Sequence, residues 1–251
     1  MCGEENVMTA SIDDNHIDAI FCELKDRLIV SCQAQADEPL RDTHVMGRMA
    51  YAAKVGGAAA IRAESVDDIR EIKKTTGLPI IGLIKRDYDD SDIYITPTMR
   101  EVDELIETPC EIIALDMTKR ERPHGEDAAS LVAHVHEAGR LVLADISTYD
   151  EGVAAEALGA DAVSTTLAGY TPYSTQQDEP DVSLVGQLAA ALKVPVFAEG
   201  RISSDANAQR MMAVGAWAVI IGSAITRPQL ITKKFAEAVA RGVKCTSGGD
   251  K

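Results

Sequence analysis

Two residues in this chain have the type and setting to move protons on a small molecule. Lys85 ends the apolar run IIGLIK and is followed at once by Arg86 and Asp87. A lysine directly after a buried strand is costly unless it is solvated or paired. It either pairs at the surface with Asp87 or Asp89, or it serves as a base or a Schiff-base amine. The second role needs a partly neutral amine, below the ordinary lysine pKa of about 10.4. Burial and a nearby cation such as Arg62 or Arg86 would lower it. Glu199 ends the run VPVFAE with Gly200 next. It either bonds a neighbouring helix N-terminus or acts as a general acid or base.

An anion could sit beside them. EGRISSDA and IGSAITRP each begin a loop with glycine directly after an apolar run. Glycine lets backbone N–H groups approach a phosphate closely, so 200–202 and 222–224 form a candidate cradle. DMTKRERP, with Lys119, Arg120 and Arg122, is either a lid over an anionic substrate or a solvated loop. YDDSDIYITPT is long for such a connection, as lids and covers often are. STTLAGYTPYS offers hydroxyls and Tyr170 to a sugar, or is an ordinary loop.

The elements that would position these groups are short apolar runs at 28–33, 58–62, 79–85, 111–116, 141–145, 161–166, 195–199 and 217–222. Each reads as a buried parallel strand. Between them lie stretches rich in Ala, Glu, Lys and Leu, such as 66–74, 126–138, 182–192 and 205–214, which read as helices. Right-handed connection leaves an open doubly wound sheet or a closed barrel.

Two features favour a single (β/α)8 TIM barrel. DRLIVSCQ resembles GRLVLADI, GGAAAIRA resembles GADAVSTT, and GLPIIGLIK resembles KVPVFAEGR, so strand n looks like strand n+4. The runs also end on polar or glycine positions, namely Gln33, Arg62, Lys85, Asp116, Asp145, Thr165, Glu199 and Gly222. In a barrel those ends converge on the face where active sites lie. The third and seventh strands are opposed there, so Lys85 and Glu199 would flank a ligand. The expected organisation is a polar extension at 1–25, disordered or a short helix, a barrel at 26–242 and a tail at 243–251.

The 251 residues suit one such barrel, and 46% hydrophobic content supports a large core. A formal net charge of -15 argues against nucleic acid and against an anionic membrane surface. Cys2, Cys22, Cys32, Cys110 and Cys245 show no CxxC spacing, which points to free thiols in a reducing cytoplasm. The histidines His16, His44, His124, His134 and His136 avoid the strand ends, so no metal is expected. No GxGxxG follows the first strand, so no dinucleotide cofactor is expected.

At IVSCQA, GGAAAIRA, IIGLIKRDYDDSDIYITPT, IIALDMTKRERP, ADIST, STTLAGYTPYS, VFAEGRI and GSAITRPQ the chain resembles the N-acetylmannosamine-6-phosphate 2-epimerase family of bacterial amino-sugar and sialic-acid catabolism. The resemblance runs from about residue 27 to about residue 240. It implies a (β/α)8 barrel, without a cofactor, that inverts C2 of N-acetylmannosamine 6-phosphate to give N-acetylglucosamine 6-phosphate. It implies Lys85 and Glu199 as catalytic residues. It implies Gln33, Arg62, Asp145 and Arg227 as substrate contacts, and Gly200, Arg201, Gly222 and Ser223 as the phosphate site. A homodimer is implied as well. The chain departs from the family pattern at ETPCE before the fourth strand, at Ala168, and at Met117 and Glu121. The rival readings are a Schiff-base aldolase using Lys85 and a sugar-phosphate-binding regulatory protein without activity.

Overall fold

The structure, a computed structural model, describes residues 14–246. The expectations for residues 1–13 and 247–251 lie outside the described residues. α1 (Asp14–Leu24) comes first, then β1 (Leu28–Cys32), α2 (Thr43–Val55), β2 (Ala60–Glu64), α3 (Val66–Thr76) and β3 (Ile80–Leu83). α4 (Met99–Ile106), β4 (Ile112–Asp116), α5 (Ala128–Glu137), β5 (Leu141–Asp145), α6 (Tyr149–Ala157) and β6 (Ala162–Ser164) continue the alternation. α7 (Val182–Ala191), β7 (Val196–Glu199), α8 (Asp205–Ala213), β8 (Ala218–Ile221), α9 (Ser223–Thr226) and α10 (Pro228–Thr246) complete it. The strands close in chain order, all parallel, with β8 pairing back onto β1. This is the (β/α)8 barrel expected from the half-chain repeat.

The helices begin where the sequence supplies a side-chain oxygen for a free N–H. Asp42, Ser65, Asp127, Thr148, Asp181 and Ser204 each accept from the backbone N–H three residues on. Such a cap contributes about 1 kcal/mol. At α6 the cap is reciprocal, because Glu151 accepts from the Thr148 N–H.

Alternation along each strand sorts the core into two shells. Outward residues such as Val30, Ile61, Ile113 and Val142 pack under the helices. Inward residues such as Ile29, Ile81, Leu83, Leu143, Phe197 and Ile220 fill the barrel. The even-numbered strands each contribute an alanine to that interior, namely Ala60, Ala114, Ala162 and Ala218. Small and large side chains from alternate strands interleave, which explains how a chain this poor in aromatics fills a barrel. α1 closes the bottom. Leu24 and Phe21 pack into the interior, Phe21 meets Phe197 edge-on at 6.2 Å, and Trp217 Nε1 donates to the Phe21 carbonyl at 2.9 Å.

The next inward positions toward the carboxyl end are polar. They are Ser31, Arg62, Asp116, Asp145, Ser164 and Glu199, two residues beyond Ile29, Ala60, Ala114, Leu143, Ala162 and Phe197. On β6 the polar end of the run, expected at Thr165, is not the inward position. Thr165 is out of phase and bonds the Glu199 backbone, its hydroxyl donating to the carbonyl at 2.9 Å and accepting from the N–H at 3.1 Å. Ser164 and Thr166 are the inward pair.

Candidate active site

The carboxyl ends of the strands surround a cavity of about 700 Å³. Every residue of the expected site lines it except Asp145, which is fully buried. Asp145 lies behind Arg62. The guanidinium holds both Asp145 oxygens, NH1 to Oδ1 at 3.0 Å and NH2 to Oδ2 at 2.6 Å. The same NH1 also donates to Glu199 Oε2 and, at 3.0 Å, to Thr166 Oγ1. Arg62 is 1% exposed, so these are charges in a poorly solvated setting, where fork-shaped pairing compensates for lost water. Desolvation alone would lower the Arg62 pKa, but the two carboxylates outweigh it and raise it, so the guanidinium stays charged.

Glu199 takes the opposite course. Burial pushes its carboxyl above the usual range, and Asp145 adds to the effect, while Arg62 and Thr166 partly oppose it. Lys85 is displaced downward. Burial is the largest cause, followed by repulsion from Arg62, with Arg227 acting the same way and Glu64 and Glu199 opposing. Neither Asp87 nor Asp89 is among the leading influences on it. Arg86 is not either, because its guanidinium turns away to Glu101 and Glu104. Of the two cations the sequence offered for depressing Lys85, Arg62 does so.

Lys85 lies two residues past β3, held by its own loop. It forms an antiparallel bridge with Ile95, the Arg86 N–H donates to Tyr94 O at 3.0 Å, and the Thr96 N–H donates to Ile84 O at 2.7 Å. Arg122 is buried and clamps this loop by donating to Thr96 O, Pro97 O and Asp116 O. Arg120 pairs with Asp116 at 2.5 Å and donates to Asp92 O at 2.9 Å. Lys119 lies 3.9 Å over the Tyr173 ring. The basic DMTKRERP segment is therefore a brace for the Lys85 loop, neither a lid nor a freely solvated stretch.

The candidate anion cradle is made of two loops that line the cavity. Gly200 has φ 100° and Arg201 φ 57°, left-handed conformations that turn the chain at the top of β7. Only glycine adopts the first without strain. Gly222 is a matter of close approach: a Cβ there would lie 3.3 Å from Ser31 Cβ, a tight contact. Ser223 and Ala224 line the cavity at the start of α9, where the first N–H groups have no intrahelical acceptor. Arg201 donates to Ala168 O at 2.6 Å and Gly169 O at 2.9 Å and stacks 4.1 Å over Tyr170. It fixes the β6–α7 loop while lending charge to the cavity wall. Arg227 Nε pairs with Glu38 at 2.9 Å, and Gln33 donates to Ser31 Oγ at 3.0 Å.

Ala168 is buried in the outer core and presents only its carbonyl to Arg201, and Met117 is likewise packed in that core. Neither they nor Glu121 line the cavity. The residues that reading by motif passed over are Ser31, Thr166 and Tyr94. The first two are legible from alternation alone. Tyr94 is not, because it arrives from the middle of the long β3–α4 loop.

The fold and site define a barrel enzyme with a depressed lysine and a raised carboxyl set around a polar, glycine-edged mouth. A sequence model described as "Putative N-acetylmannosamine-6-phosphate epimerase" matches residues 46–241. The chain belongs to this family. A "Putative N-acetylmannosamine-6-phosphate 2-epimerase" of Clostridium perfringens is 59% identical over 214 residues, 85% of this chain and 97% of the relative. One of Clostridioides difficile is 55% identical over 217 residues, 86% of this chain and 97% of the relative. The solved structure of the N-acetylmannosamine-6-phosphate 2-epimerase from Clostridium perfringens superposes with a TM-score of 0.86 at 57% identity, covering 87% of this chain and 96% of that one.

Proposed function

We propose that the protein interconverts N-acetylmannosamine 6-phosphate and N-acetylglucosamine 6-phosphate by removing and returning the C2 proton, in the amino-sugar catabolism of the cytoplasm. The observation that carries this reading is the pairing of Lys85 and Glu199 in one cavity, four strands apart around the barrel, with oppositely displaced pKa values. C2–H of a closed pyranose is not acidic, so the reacting form is the open aldehyde. Lys85 takes the C2 proton, and the electron pair passes to the C1 oxygen. Glu199, neutral at the start, gives that oxygen its proton, and a C1–C2 enol that carries the acetamido group on C2 results. Arg62 stabilises the charge as it develops. Its Nε is a buried donor without a partner among the described residues, which a substrate oxygen would satisfy. Inversion follows when the planar intermediate turns its other face to Lys85, which returns a proton to C2 as Glu199 takes back the proton of the C1 oxygen. Gly200, Arg201, Gly222 and Ser223 hold the phosphate, with Gln33 and Arg227 at the cavity wall and Asp145 keeping Arg62 in place.

Turnover of N-acetylmannosamine 6-phosphate by the purified protein, followed by proton NMR, tests this. Absence of the gluco product refutes it. Borohydride added during turnover leaves no adduct on Lys85, whereas a trapped adduct would indicate an aldolase. The pH profile should be a bell belonging to the coupled pair. Its acid limb lies above the ordinary carboxylate value of about 4.3 and its alkaline limb below the lysine value of about 10.4. Limbs at those ordinary values would contradict the site's electrostatics.

The protein is proposed to act as a homodimer. α10 leaves Leu230 at 46%, Phe235 at 66% and Val239 at 69% exposure. A second copy is the occupant this apolar helix face fits. Light scattering should return twice the chain mass of 26.8 kDa, and a monomer mass would overturn it.

A further inference from the structure

One hydroxyl in the site has more carboxylates to serve than it has protons. Thr166 Oγ1 lies 2.6 Å from Asp145 Oδ1 and 2.9 Å from Glu199 Oε2. Arg62 NH1 donates to the same oxygen at 3.0 Å, so one lone pair is occupied by a cation. Ser164 Oγ lies 2.9 Å away. A threonine hydroxyl carries a single proton. It can be donated to Asp145 or to Glu199, never to both at once.

The two acceptors are not equivalent. Asp145 is always served, because Arg62 donates to each of its oxygens. Glu199 changes state on the proposed pathway, neutral before it protonates the sugar oxygen and ionised afterwards. While Glu199 is neutral, the best acceptor for the Thr166 proton is Asp145. Once Glu199 is ionised, its Oε2 becomes a full carboxylate acceptor. A turn about the Thr166 Cβ–Oγ1 bond then brings the proton to it, with no heavy atom moving and no bond made or broken.

We propose that Thr166 is a positioning residue whose hydroxyl turns between Asp145 and Glu199 in step with the loss and recovery of the Glu199 proton. This rests on the reading of Glu199 as the acid that serves the sugar oxygen. Thr166 lies at the cavity wall, two residues past the end of β6, in phase with Ser164. The charged groups facing Glu199 are Arg62 from β2, Asp145 from β5 and Lys85 beyond β3. None of them can withdraw a hydrogen bond from Glu199 and restore it as its charge changes, which is what a rotor at position 166 adds.

The test compares the pH profiles of kcat and kcat/KM for wild type, Thr166→Val and Thr166→Ser. Valine keeps the shape and removes the hydroxyl, so ionised Glu199 loses a donor. The alkaline limb, on which the acid Glu199 loses its proton, should move up by about 1 pH unit, the scale of one hydrogen bond to a charged group. KM should stay within about twofold, and serine should return the limb to its wild-type position. A merely structural threonine would lower activity without moving the limb. An unmoved limb in Thr166→Val, or a serine variant displaced as far as valine, overturns the inference. If circular dichroism shows the valine variant unfolded, Thr166→Ala is read by the same criteria. Glu199→Gln separates the two levels. An active Glu199→Gln refutes the reading of Glu199, whereas an inactive one together with an unmoved Thr166→Val limb refutes the rotor alone.

Discussion

Lys85→Ala should abolish exchange of the C2 proton while leaving the barrel folded. The loss in kcat should be roughly 10²–10⁴-fold, the range for removing a positioned general base. The reason lies in where the lysine is held. Its loop is fixed by the bridge to Ile95 and by the Arg122 clamp, and its ammonium is destabilised by burial and by Arg62. No other amine is shown in that setting among the described residues. Lys234 also lines the cavity, but it is on α10, whose surrounding residues are exposed. Because the Lys85 side chain is largely a tenant of the cavity and not of the core, truncation should move the melting temperature little. A variant that retains more than about a tenth of wild-type turnover would remove Lys85 from the role of base. NMR exchange and a thermal melt, run on the same preparation, read both halves of this expectation.

Arg62→Met should have the largest effect on stability. The methionine fills much of the space and removes the charge. Asp145, fully buried, and Glu199, with 13% of its side chain exposed, would then face each other without a counter-ion. Breaking a buried pair in this way costs about 3–5 kcal/mol. The pH dependence has a definite sign. The Glu199 carboxyl, already raised by burial and by Asp145, loses the opposing Arg62 in the variant, so the folded state binds more protons than the unfolded chain between the two Glu199 values. The penalty is full at neutral pH and is relieved as pH falls toward about 4. Urea unfolding at pH 7 and pH 5 should therefore show a smaller difference from wild type at the lower pH. A loss under about 1 kcal/mol, or one independent of pH, would mean that the Arg62–Asp145–Glu199 cluster is not the electrostatic centre of the mouth. Activity should disappear as well, because Arg62 neighbours both Lys85 and Glu199.

How much of this was legible in the sequence follows from what alternation can and cannot encode. Ile29, Ala60, Ile81 and Phe197 point inward, so Ser31, Arg62, Lys85 and Glu199 must lie above them on the same face. The half-chain repeat then places β3 opposite β7. That logic is arithmetic on a period of two and needs no contacts. The polar end of the sixth run falls on Thr165 and not on the inward Thr166, because an apolar run marks where a strand ends but not which of two adjacent hydroxyls is in phase. Loops carry no such period. Nothing in YDDSDIYITPT shows that Tyr94 reaches the cavity, or that Arg86 would turn to Glu101 and Glu104. The DMTKRERP cations read equally as a lid or a solvated loop because their count is visible and their partners are not. Arg122 finds three carbonyls brought together only by the closed barrel. Likewise, the glycines at 200 and 222 were both visible as loop starts. That one answers to a positive φ and the other to the nearness of Ser31 emerges only in three dimensions.

The central claim is that the C2 proton leaves and returns during inversion. Its most direct measurement is to let the protein convert N-acetylmannosamine 6-phosphate in heavy water and examine the N-acetylglucosamine 6-phosphate formed, by proton NMR and mass spectrometry. The ammonium of Lys85 exchanges with solvent through the open cavity, so the account predicts deuterium at C2, loss of the C2 proton signal and no label at the other ring carbons. Product that has inverted at C2 while retaining its original proton there would contradict it.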